Sequence, residues 1–133
     1  MIGKHFLSMM WHYRLEGRRA VPCPDIAEWA RWFAIADRRV AETWIDDFRV
    51  STVFLGLDHN HNALSNDEVP VLFETMVFAG PDPLDTMRRY SLWEEAETGH
   101  AEIVAQLRQE MDTAQVAALE AWKALMARQT RST

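Results

Sequence analysis

The spacing of apolar and polar residues changes period several times along this chain. From Trp11 to Leu15 large apolar and polar residues alternate, Glu16-Gly17 is a turn signal, and Arg-Arg-Ala-Val leads into Pro22. This predicts a short β-hairpin. Beyond Pro24, residues Ile26, Trp29, Ala30, Phe33 and Ala36 fall on one helical stripe, and Asp25 with Glu28 has the pattern of a capping box. Residues 38–45 return to β-branched alternation, punctuated by Asp46-Asp47. Residues 48–58 and 71–78 read as two more strands, the latter opened by Pro70 and closed by Ala79-Gly80-Pro81. Residues 38–78 thus predict a three-stranded antiparallel meander.

Residues 83–90 read as a linker. Ser91 with Glu94 predicts the cap of a second helix, whose stripe is Ala96, His100, Ile103, Leu107 and Met111. Gly99 lies beside that stripe, where a missing side chain permits close approach to a sheet. Asp112-Thr113 with Gln115 predicts a break or bend, after which Val116, Leu119, Trp122 and Met126 form a last stripe. The expected fold class is α+β: an antiparallel sheet, a meander of three strands plus an N-terminal hairpin, with helices packed on one face. Residues 11–133 are expected to form one domain after a loose tail at residues 1–10.

Placing apolar residues on a common face gives the two central strands a register. Val53, Leu55 and Leu57 would share the core face with Val71, Phe73, Thr75 and Val77. The opposite face would carry Thr52, Phe54, Gly56 and Asp58 beside Leu72, Glu74, Met76 and Phe78. That second face is too apolar for bare solvent, so the N-terminal hairpin or another subunit should cover it.

Composition adds three constraints. Hydrophobic residues at 48% argue for a folded globule. The formal charge of −6 argues against direct nucleic-acid binding through phosphate neutralisation. Cys23 is the sole cysteine, which excludes an internal disulfide and fits a reducing cytoplasm. No apolar run is long enough for a transmembrane helix. Six Trp suit either a core or the surface of a homodimer.

The chemistry-bearing side chains form two groups. Asp58, His59 and His61, with Glu74, stand at a strand end and could hold a divalent metal or serve as acid and base. The register divides them between faces, which argues against one site. Glu97 and His100 have the Glu-x-x-His spacing of carboxylate-bridged di-iron bundles, but such sites need two of these motifs on four helices; the plainer reading is a buried, hydrogen-bonded His100. Cys23 and Ser51 lack the context of a nucleophile, and no glycine-rich phosphate loop is present. No cofactor is therefore expected, with a divalent metal on His59, Glu74 and His100 as the alternative. The paired arginines Arg18-Arg19, Arg38-Arg39 and Arg88-Arg89, with Arg14, could line an anion site, or simply be solvated.

The strings V-S-T-V-F-L-G-L-D-H, F-E-T-M-V-F and R-Y-S-L-W-E-E-A-E-T-G-H, with W-H-Y-R-L-E-G-R-R-A-V-P before them, resemble a family of small uncharacterised proteins of bacteriophages, prophages and bacteria. The resemblance spans residues 11–104. Its signature falls on Ser51, Thr52, Gly56, Asp58, His59, Phe73, Glu74, Thr75, Tyr90, Glu95, Gly99 and His100. It implies origin more than activity. With the acidic charge and the lack of a catalytic motif, it leads to the expectation of a phage-type accessory protein in the host cytoplasm. Such a protein would bind a host protein and inhibit a process such as a defence system. The binding surface is expected at Phe54, Asp58, His59, Glu74, Met76, Phe78, Tyr90 and His100. Alternatives are a nucleotide- or small-molecule-sequestering protein, a metal-dependent enzyme using Asp58, His59, Glu74 and His100, and a structural virion component.

Overall fold

The computed structural model describes residues 11–60 and 69–131. The expected tail at residues 1–10 and His61 lie outside these. Among the described residues the order is β1 (Tyr13–Glu16), β2 (Arg19–Pro22), α1 (Ile26–Ile35), β3 (Arg39–Ile45), β4 (Phe48–Phe54), β5 (Phe73–Ala79), β6 (Asp82–Tyr90) and α2 (Trp93–Arg131). β1 and β2 form the expected hairpin, and β3-β4-β5-β6 an antiparallel sheet in sequence order. The class is α+β. The chain divides into two compact units between Ala101 and Glu102.

The first unit contains both sheets, α1 and the first turns of α2. The Asp25 carboxylate caps α1, accepting from the Ala27 and Glu28 amides at 3.0 and 3.2 Å. Trp32 of α1 meets Phe54 edge-on, Trp93 meets Phe73, and Ala96 is fully buried. Tyr13, Leu15 and Ala20 bring the hairpin onto the same cluster of Phe54, Leu72, Phe73, Tyr90 and Ala96. Both helices and the hairpin therefore cover one face, and the hairpin does not cover the second.

Four expectations are corrected. Residues 83–90 are not a linker: β6 completes the sheet, with Phe73 opposite Tyr90 and Glu74 opposite Arg89. Its side chains are exposed at every position but Tyr90, so this edge strand carries no apolar alternation to read. The strand expected to reach residue 58 ends at Phe54. Gly56 has φ +78°, and a Cβ there would lie 2.9 Å from Phe33, so the chain turns where α1 crosses it. No break follows Asp112, since α2 is continuous and the Thr113 hydroxyl donates to Gln109 O within it at 2.9 Å. The cap of α2 is not Ser91 with Glu94. The Glu95 carboxylate reaches back to the Ser91 and Leu92 amides.

The register of β4 is also inverted. Thr52 faces Thr75, Phe54 faces Phe73 and Val50 faces Val77, while Val53 faces Glu74 and Ser51 faces Met76. Val50, Thr52 and Phe54 point to the core, all fully buried. Thr75 lies in the core as expected, but matching apolar positions failed for β4 because Thr52 is a core residue too, held there by Thr75 and by a histidine distant in sequence.

Candidate functional site

Buried under α2 is a chain of polar side chains. The His100 ring lies 2.8 Å from the Thr43 hydroxyl through Nε2 and 2.7 Å from the Thr52 hydroxyl through Nδ1. Thr52 Oγ1 is 2.5 Å from Thr75 Oγ1, which is 3.0 Å from the Tyr90 hydroxyl. β3, β4, β5, β6 and α2 each supply one member. In one direction Tyr90 donates to Thr75, Thr75 to Thr52, Thr52 to Nδ1, and Nε2–H to Thr43, so that the proton left over is that of the half-buried Thr43 hydroxyl. The reverse direction leaves the Tyr90 proton without an acceptor in the chain. The first direction, which spares the buried Tyr90 hydroxyl, makes His100 the Nε2–H tautomer. Burial lowers its pKa below the ordinary histidine value.

That shift has a sign for stability. The unfolded chain takes up a proton near pH 6.5 and the native chain does not. His100 therefore contributes stability that is complete above pH ~6.5 and lost as pH falls through its folded pKa. Urea unfolding free energies of the wild type should fall by up to ~1.4 kcal/mol per pH unit across that window relative to H100Q. Parallel pH profiles for the two proteins would show that His100 stays neutral for no energetic reason.

The acidic and imidazole groups at the end of β4 are used locally. Asp58 Oδ1 accepts from the Asn60 and Val71 amides at 2.8 and 2.9 Å, which ties the two ends of the loop together. His59 Nδ1 is 2.8 Å from Leu57 O. Glu74 pairs with Arg89 at 2.9 Å on the outer face, away from His100 on the core face. The four residues of the metal-enzyme reading therefore do not converge, and no group of three or more His, Cys, Asp or Glu fit for a metal occurs among the described residues. Cys23 is buried, and burial together with Glu28 pushes its thiol pKa up. That makes it a poor nucleophile.

The outer sheet face is a different environment. Arg49 lies 4.3 Å from the Phe78 ring and 6.0 Å from that of Trp44, with its Nη1 3.4 Å from Glu42. Met76 faces Met87 across the next pair. Trp44 is 58% exposed and Met87 52%. Of the surface residues expected from sequence, Glu74, Met76 and Phe78 are here. Phe54, Tyr90 and His100 are not; all three are buried in the core. Trp44, Arg49 and Met87 were missed. For Trp44 the signal was the alternation of residues 38–45, which already placed it opposite in phase to Thr43; Arg49 and Met87 join it through the cross-strand register.

A groove of about 430 Å³ lies between the hairpin and the start of α2, lined by Tyr13, Arg18, Ala20, Leu72, Phe73 and Trp93. The Arg18 guanidinium sits 5.9 Å from the Trp93 ring centroid. No described helix is long and apolar enough to cross a membrane. Compared with family models, curated proteins and solved structures, the chain matches none.

Proposed function

We propose that this protein acts by binding a protein partner through the outer face of its sheet, without catalysis. The observation that carries this is the Trp44–Arg49–Phe78 stack, bordered by Met76 and Met87. Trp, Arg, Phe and Met are the residues enriched at interfaces, and truncation of a Trp or Arg anchor commonly costs most. Stacking pre-orders the Arg49 side chain, so less rotamer entropy is lost on docking. The flanking Glu42, Glu74 and Arg89 supply the charged rim. In the accessory role that the resemblance to small phage proteins implies, such a protein inhibits a host partner by occupying that partner's surface.

The test is affinity capture from host lysate with wild type, with W44A/R49A, and with the off-face variant I35A. A discrete partner held by wild type and I35A should bind the double variant at least ~100-fold more weakly. Capture that survives the double variant, or no partner at all, removes this reading. A nucleotide-dependent rise in Tm that R18A abolishes would favour the groove beside Trp93 instead.

A further inference from the structure

The second unit begins at Glu102, and its described residues are the remainder of α2. From residue 112 to residue 130 every position is exposed, including Leu119 at 51% and Trp122 at 58%. Most of the stability of a protein helix comes from packing of an apolar face rather than from its own hydrogen bonds, and this stretch has no such packing in the structure. Most of its large apolar residues lie on one side. Met111, Ala118, Trp122 and Leu125, with the polar Gln115 at the intervening position, advance by alternate steps of four and three, the repeat of a seam between two helices; Val116 lies off it. Leu119 and Met126 broaden the seam on one side; Ala114 and Ala121 lie on the other, where small side chains permit close approach.

The charges select the partner. Residues 102–116 carry Glu102, Glu110 and Asp112 against Arg108, a net of −2. Residues 117–130 carry Lys123 and Arg128 against Glu120, a net of +1. A second copy laid antiparallel sets each acidic half beside a basic half and opposes the two helix dipoles. A parallel copy would set like halves and like dipole ends together. We infer that residues 102–130 form the contact of an antiparallel homodimer, with Trp122 at its seam. This goes beyond the outer-face reading and does not depend on it.

Sedimentation equilibrium of the purified full chain tests it, with W122D in the seam and E120K on the opposite side of the helix. Wild type and E120K should be dimers, and W122D should dissociate at least ~30-fold more readily while keeping the unfolding transition of the first unit. The variant L125C reports direction under mild oxidation: antiparallel helices hold the two cysteines apart, and parallel helices join them in a disulfide. A wild-type monomer, including one whose helix face serves a different protein, overturns the inference. So does a dimer indifferent to W122D, or efficient cross-linking of L125C.

Discussion

Gly99→Ala is expected to destabilise the fold by about 2 kcal/mol, despite replacing glycine with the best helix former. Two effects of opposite sign compete. Alanine inside a helix gains about 1 kcal/mol over glycine. Against this, a Cβ at position 99 would run into the ring and hydroxyl of Tyr90. Overpacking of this kind costs typically 1–3 kcal/mol, and the upper end applies where neither neighbour can yield. Tyr90 is buried and its hydroxyl is held by Thr75. On the helix side, Ala96 is fully buried and Glu95 ties down the amides at the helix start. Urea unfolding of Gly99→Ala, Tyr90→Leu and the double variant gives the decisive comparison. In the Tyr90→Leu background the alanine should no longer destabilise and should recover up to about 1 kcal/mol of helix propensity, since the ring edge and hydroxyl it strikes are gone. A neutral or stabilising Gly99→Ala in the wild type would mean that helix and ring do not meet.

Gly99 was legible in the sequence as a place of close approach, but what approaches was not. The helical stripe found the inward side of the first turns of α2 at Ala96 and His100 and that of α1 only in part: Trp29 and Phe33 turn inward, but Ile26 is exposed and the stripe left out Trp32, which meets Phe54. Turn residues marked the hairpin and the C-terminal end of β5, which starts at Phe73, two residues later than Pro70 suggested. Two physical facts were out of reach of periodicity. An edge strand exposed along most of its length, as β6 is, has no apolar alternation to read. And a threonine enters a core only if its hydroxyl finds a partner, which for Thr52 comes from Thr75 and His100, 23 and 48 positions away, and for Thr75 from Thr52 and Tyr90. Reading Thr52 as a surface residue turned β4 over and carried Phe54 outward with it.

The same error explains the candidate site. Asp58, His59, Glu74 and His100 are chemically capable, and their sequence neighbourhood suggested a cluster. Each instead completes a local structure: a loop clamp, a strand-end contact, a cross-strand ion pair and a core hydrogen-bond chain. The residues that do stand together in the open, Trp44, Arg49 and Phe78, come from three strands, and their proximity follows from the register. Once Trp44 is set opposite Arg49, and Arg49 opposite Phe78, the stack is a consequence of cross-strand pairing.

His100→Ala should cost about 3 kcal/mol, the sum of two lost hydrogen bonds and the cavity left by the ring. The loss is not confined to position 100. In the direction assigned above, Thr52 donates to Nδ1, and removal of the ring leaves that buried O–H without an acceptor. The hydroxyls can respond by reversing, but reversal strands the Tyr90 proton at the other end of the chain. A buried group stranded in this way costs about 1–3 kcal/mol, whichever end bears it. Thr52→Val removes that penalty along with the hydroxyl. It should therefore cost less in the His100→Ala background than in the wild type, by at least ~1 kcal/mol. His100→Gln, which can restore an acceptor for Thr52, should recover part of the loss. A double-mutant cycle by urea unfolding measures the coupling. Additive costs for His100→Ala and Thr52→Val would mean that the ring merely fills space, and that the four strands are not tied to α2 through one continuous run of hydrogen bonds.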